Sequence, residues 1–296
     1  MYARFTLHNV AKSKSRIVRT RQISTTASKA REIKERKIKV NDMEINYGSV
    51  GTGDHPVLLL PGALGTIRTS FKPQLENLNV DKLTLVAWEP PGYGKSRPPD
   101  RTFPDDFYQR DATYAYTLMK ILGYSKFSMI GWSNGGITSL VLASAYPESV
   151  HKLVVTGAHS YITQDETKIY ESLRDINNWS ENMRAPLMEV YGKDYFQKMW
   201  SDWTDTALRL YKTRNGNLCK QALPKIKCPT LIIHGARDPV VMLEHPMYLK
   251  QNIPDSTLYV FEEGAHTLHL RYPEKFNNLV TKFLVGQSKM HDSSIL

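Results

Sequence analysis

Cysteine is nearly missing from this chain, which carries two in 296 residues, Cys219 and Cys228. They lack metal-ligand spacing and cannot make a disulfide framework, so both read as reduced packing residues in a reducing compartment. No apolar run reaches the length of a membrane span, which excludes a transmembrane anchor. Acidic residues are absent from the first 31 positions, where Arg4, Lys12, Lys14, Arg16, Arg19, Arg21, Lys29 and Arg31 all precede Glu32. That segment holds +8 of the formal charge of +10, so the remainder is close to neutral and the basicity is no nucleic-acid footprint of a folded body. Residues 1–31 are also rich in Ser and Thr and lack an uninterrupted apolar core, the composition of a mitochondrial transit peptide rather than a secretory signal. A presequence, disordered or removed, and a mitochondrial location are expected; a nucleic-acid-binding tail is the alternative. Ser294-Ile295-Leu296 lacks the central basic residue of a peroxisomal signal and is discounted.

What remains has the length of one large α/β domain with an inserted subdomain, and it shows no internal repeat. Residues 37–40 and 44–50 read as a hairpin edge across Asn41-Asp42. Buried strands follow at 57–60 and 83–88, then a helix at 105–122 with small or apolar residues at helical spacing. An elbow strand ending near Ile130, a helix at 134–146 and strands at 152–156, 229–235 and 257–261 complete the pattern. Strands alternating with helices predict an α/β fold, a mostly parallel, doubly covered sheet built from residues 37–159 and 224–286. Residues 160–223 break the alternation and turn helical, polar and aromatic, an insertion read as a cap over the carboxyl ends of the strands. Most of its rings are expected to form the cap's own core, with two or three lining a pocket.

The run Gly131-Trp132-Ser133-Asn134-Gly135 joins an apolar strand to a helix. A serine at such a turn is a nucleophile elbow, where small neighbours let the backbone bend sharply and the helix N-terminus points at the reacting carbonyl. A serine hydroxyl needs a base and an acid that orients the base. Asp238, just past a strand and the Gly235 turn, is the expected acid, although Asp-Pro alone would read as a turn or cap. His266, after the next strand and the Gly264 turn, is the expected base, with His269 the alternative. His234, inside a strand, reads as a core histidine; His8, His55, His151, His159, His245 and His291 read as surface or structural. The oxyanion needs two N–H donors. Asn134 supplies one, and Ala63 or, by preference, Leu64 in the loop after residues 57–60 supplies the other. Substrate contacts are expected from Asn134 and Trp132 beside the nucleophile and from Trp179 and Tyr161 of the insertion.

With elbow, acid, base and cap in place, the chain resembles the α/β-hydrolase superfamily and, within it, the biphenyl hydrolase-like group, also called valacyclovir or α-amino acid ester hydrolases. The resemblance rests on Leu58-Leu59-Leu60-Pro61-Gly62, the run from Gly92 to Arg101, Gly131-Trp132-Ser133, Ile169-Tyr170-Glu171, Trp179-Ser180-Glu181, Tyr191-Gly192 with Asp194-Tyr195-Phe196, and His266 with Leu268-His269-Leu270-Arg271. It implies triad roles for Ser133, Asp238 and His266, no cofactor and no metal. In that group an aspartate after the nucleophile pairs with the substrate's α-ammonium, whereas this chain has Asn134, an amide that accepts a hydrogen bond without neutralising the charge. Glu89-Pro90-Pro91 is a second departure, expected to alter the shape of its loop. The reading is a monomeric, cofactor-free serine hydrolase acting on small carboxylic esters, with α-amino acid esters as one candidate class and neither nucleic acid nor membrane as partner. A carbon–carbon bond hydrolase or thioesterase on the same scaffold, or a non-catalytic ligand-binding member, is the alternative.

Overall fold

The computed structural model describes residues 31–286. The expected presequence up to residue 30 and the carboxyl-terminal tripeptide lie outside the described residues. Strands β1 (Lys34–Val40) and β2 (Met43–Val50) pair antiparallel, and the hairpin begins three residues before the sequence pattern does. The reason is that Lys34, Glu35 and Arg36 offer no apolar alternation and are drawn into the edge by pairing with Ser49, Gly48 and Tyr47. Then come β3 (His55–Leu60), α1 (Ile67–Asn77), β4 (Leu83–Trp88), α2 (Phe107–Ile121), β5 (Phe127–Trp132), α3 (Asn134–Ala145) and β6 (Val150–Thr156). The insertion follows as α4 (Gln164–Ser172), α5 (Glu181–Tyr191) and the long α6 (Lys193–Arg214). The chain closes with β7 (Thr230–Gly235), α7 (Glu244–Asn252), β8 (Ser256–Phe261), the single turn α8 (Leu268–Arg271) and α9 (Pro273–Val285).

The eight strands form one sheet in the order β1-β2-β4-β3-β5-β6-β7-β8, parallel from β4 through β8. Side chains along a strand alternate between faces, so Val57 and Leu59 of β3 join one core while Leu58 and Leu60 join the other. The first core is closed by Phe71 and Leu75 of α1 with Phe276 and Val280 of α9; the second by Ala115 and Leu118 of α2 with Leu140 and Leu142 of α3. Each of the fully buried Leu, Val and Phe side chains contributes roughly 1.5–3 kcal/mol. Double coverage leaves only the strand ends open, and in a parallel sheet the loops at the carboxyl ends gather the functional groups.

Candidate active site

At the end of β5 the backbone of Ser133 takes φ 53° and ψ −122°, a region that a non-glycine residue adopts at a cost of about 1–3 kcal/mol. The bend is held by Ser133 N donating to the Thr156 carbonyl at 3.0 Å and by Ile137 N donating to the Ser133 carbonyl at 3.0 Å. Only glycine fits beside it: a Cβ on Gly135 would lie 2.0 Å from the Leu60 carbonyl oxygen, and one on Gly131 2.6 Å from Ser139 Oγ.

The loops after β7 and β8 bring two more groups to this serine. His266 Nε2 lies 3.1 Å from Ser133 Oγ, and its Nδ1 lies 2.8 Å from Asp238 Oδ2. The other carboxylate oxygen of Asp238 accepts from Val240 N at 2.9 Å and Val241 N at 3.0 Å. Burial pushes the Asp238 carboxyl up, but His266, His234 and the Val241 amide outweigh it, so its pKa is lowered and it stays ionised. His234 is a core histidine that donates from Nε2 to the Val241 carbonyl at 3.1 Å, which steadies the loop holding Asp238. His269 is fully buried, donates from Nε2 to Ser70 O at 2.9 Å and is pushed down to about 3 by burial; it packs under Trp132.

Trp132 holds the His266 backbone directly, its indole N–H donating to the His266 carbonyl at 2.9 Å. Leu64 has φ 59°, and its carbonyl accepts from the Tyr191 hydroxyl of the cap at 2.9 Å. Asn134 is 8% exposed, and its Oδ1 accepts from the Tyr108 hydroxyl at 3.1 Å. Behind it lies a buried fork that the sequence reading missed, Arg101 Nη1 and Nη2 on the two carboxylate oxygens of Asp111 at 3.0 and 2.6 Å. Glu89 also has more than a shape effect: its carboxylate accepts from Asn46 Nδ2, Lys95 N and Ile67 N and ties three segments together.

Ser133, Asn134, Trp132 and His266 line a cavity of about 300 Å³ roofed by the insertion. Trp179 belongs to the roof, and its indole and that of Trp200 both donate to the Leu173 carbonyl, at 2.9 and 2.7 Å, pinning Leu173 against the cavity. Four cap rings, Tyr170, Trp179, Trp200 and Trp203, reach the lining, more than the two or three expected, because they pack in one chain of contacts, Trp200 stacked on Trp203 with Trp179 and Tyr170 set edge-on to them. Tyr161 is a correction: it is not among the lining residues, since its hydroxyl donates to Glu244 at 2.9 Å and its ring packs on His245 and Tyr248. His159, read from sequence as surface or structural, is buried in the cavity wall. Its place just past the carboxyl end of β6 was the available signal. Among the described residues lining the cavity there is no Asp, Glu, Lys or Arg.

A serine on a strained strand-to-helix bend, a histidine on its hydroxyl and a buried carboxylate on that histidine, all at one end of a parallel sheet, define a hydrolase with a serine nucleophile. Residues 55–184 match the family model for the alpha/beta hydrolase fold. Serine hydrolase BPHL of Mus musculus is 48% identical over 248 residues, covering 84% of this chain and 85% of the relative. The Homo sapiens protein of that name is 47% identical over the same shares. Among solved structures, the meta-cleavage product hydrolase CumD from Pseudomonas fluorescens IP01 superposes with a TM-score of 0.71 at 21% identity, covering 86% of this chain and 98% of that one, a likeness of fold. The chain belongs to the α/β-hydrolase fold family and is one of its serine hydrolases.

Proposed function

We propose that the protein hydrolyses small, uncharged carboxylic esters through an acyl-enzyme on Ser133. The observation that carries this is the hydrogen-bonded chain Asp238–His266–Ser133 in the wall of a mainly apolar cavity. His266 Nε2 takes the Ser133 proton as Oγ attacks the ester carbonyl, and the ionised Asp238 keeps the imidazole oriented and stabilises it once protonated. The backbone N–H groups of Asn134 and Leu64 hold the oxyanion; the first N–H groups of a helix have no partner within it. The protonated His266 gives its proton to the departing alkoxide. Water then attacks the acyl-enzyme with His266 again as base, releasing the acid and restoring the serine. Trp132 and Trp179 supply apolar contact.

The absence of Asp, Glu, Lys and Arg among the described residues lining the cavity, and an amide rather than a carboxylate at position 134, favour uncharged esters over α-amino acid esters. Purified protein assayed against oxygen esters, α-amino acid esters, thioesters and carbon–carbon cleavage substrates tests this. Uncharged oxygen esters should be turned over fastest, with loss of activity on fluorophosphonate labelling; faster cleavage of a thioester or a carbon–carbon bond would overturn the ester reading. The proposal extends to a monomer that binds no nucleic acid, supported by the near-neutral charge beyond position 31, and to delivery by residues 1–31 to mitochondria, supported by their acid-free, basic composition. A reporter fused behind residues 1–31 should enter mitochondria; a cytosolic or nuclear reporter contradicts this.

A further inference from the structure

Most of the cavity wall is apolar, with Leu173, Met183, Leu187, Trp200 and Val240 among its residues. Besides Thr69, Ser70, Asn182 and Thr267, the polar side chains that interrupt that lining without belonging to the Ser133–His266–Asp238 chain are Asn134, His159 and Tyr170. These last three are 8%, 6% and 1% exposed, so each is more than nine-tenths buried. Each carries a buried polar atom without a hydrogen-bond partner in the protein: Nδ2 of Asn134, Nδ1 of His159 and the hydroxyl of Tyr170. Buried donors normally find partners, because one left unmade forfeits its hydration for nothing. Together with Ser70 Oγ, which is also buried and unpartnered in the lining, these three groups in the wall of one substrate cavity point to a molecule that brings the missing partners with it.

The character of the three groups narrows that molecule. The Tyr108 hydroxyl occupies Asn134 Oδ1, so what Asn134 has left to offer is an N–H donor. Burial holds the Tyr170 phenol well above its ordinary pKa, which keeps it an O–H donor. Burial also lowers His159 to about 4, so its ring is uncharged around neutral pH. The charged or titratable groups bearing on His159 are Glu166, His245, His266 and Asp238. Two of these are carboxylates, which disfavour an anion there, while a cation would meet no carboxylate in the lining.

We propose that Asn134, His159 and Tyr170 form a neutral hydrogen-bonding subsite that selects esters bearing a second uncharged oxygen function, a hydroxyl or keto group, over their hydrocarbon counterparts. The proposal rests on the ester-hydrolase reading and names its substrate class. A site built to bond an oxygen discriminates against the analogue lacking it, because that analogue leaves the buried donors unpaired.

The test is a panel of small esters carrying a hydroxyl or keto group at successive positions of the acyl or alkyl chain, each compared with its hydrocarbon parent. The ratio of kcat/KM within a pair is read for the full chain, for Tyr170→Phe and for His159→Leu, so differences in active fraction cancel. At least one position should favour the oxygenated ester by about tenfold or more, and both variants should bring that ratio toward one. Equal rates at every position, or a preference that survives both substitutions, overturn the subsite. Binding of the same pairs to Ser133→Ala by calorimetry separates the two levels of argument. Discrimination in binding without turnover by the unsubstituted protein keeps the subsite and sinks the ester reading. Turnover without discrimination does the reverse.

Discussion

On the sheet side of the cavity, Ser133, Asp238 and His266 leave the ends of β5, β7 and β8, and each is held by bonds to its neighbours at 2.8–3.1 Å. On the cap side, Trp179, Trp200 and Trp203 lean on one another and the first two also on the Leu173 carbonyl, a wall mainly of area and shape in which the Tyr170 hydroxyl is an unpartnered donor. The first wall is built from strand ends whose places are fixed by the register of the sheet. The second is built from an insertion whose helices answer mainly to each other. The difference teaches that reaction and substrate choice are carried by separable parts of the chain.

The sharpest way to break that comparison is to disable one group of each wall. Asp238→Asn should lower kcat by about 10⁴-fold with KM little changed, since the imidazole loses its orienting partner. If KM rose and kcat held, the acid would have been misplaced. Next in size is the seam residue Asn134. Asn134→Asp should raise the kcat/KM ratio of α-amino acid esters to uncharged esters by roughly ten- to a hundredfold, because an ion pair in a desolvated site is worth about 1–3 kcal/mol. An unchanged ratio, with the unsubstituted protein already preferring amino acid esters, would mean that the ammonium is held elsewhere. In the roof, Trp179→Ala should raise KM for aromatic esters about tenfold and leave kcat for a short acetate ester within a fewfold, because it removes contact area without touching the reacting atoms. An equal fall in kcat for both esters would erase the distinction between the walls. Trp132→Phe is smaller still: losing the indole bond to the His266 carbonyl should cost a fewfold in kcat, and an unaltered kcat would leave Trp132 as lining alone.

The last expected effect is on stability. His159 and His234 are lowered to about 4 and His269 to about 3, each chiefly by burial. Unfolding frees them to bind protons, so their contribution is full above the ordinary histidine value of 6.5 and is lost as pH falls toward 4. Each can remove about 1.4 kcal/mol per pH unit in that window. Urea unfolding at pH 7 and pH 5 should show a falling midpoint; a flat profile would mean that these imidazoles are hydrated in the fold.

How much of this was legible in the sequence follows the same division. Ser133, Asp238 and His266, which the fold brings together, stand out because each follows an apolar strand and a small-residue turn, a local pattern that a linear reading can see. The edge strand β1 was read short because its residues are charged and its pairing partner, not its pattern, extends it. Tyr161 was misplaced because which residue of a capping segment faces the cavity depends on helix packing across long sequence separations, whereas His159 was overlooked although its place just past the carboxyl end of β6 was a local signal. The Arg101–Asp111 fork was invisible for a related reason: two charged residues ten apart look solvated until the fold closes over them.

The central claim is that Ser133 carries the acyl group. Mixing the protein with a chromogenic ester, quenching in acid within the first turnovers and locating the added mass by peptide mapping tests it most directly. The account predicts the intact acyl group on the peptide containing Ser133, with none on Ser133→Ala. Sustained turnover with no adduct on that peptide, or an adduct on another residue, would contradict it.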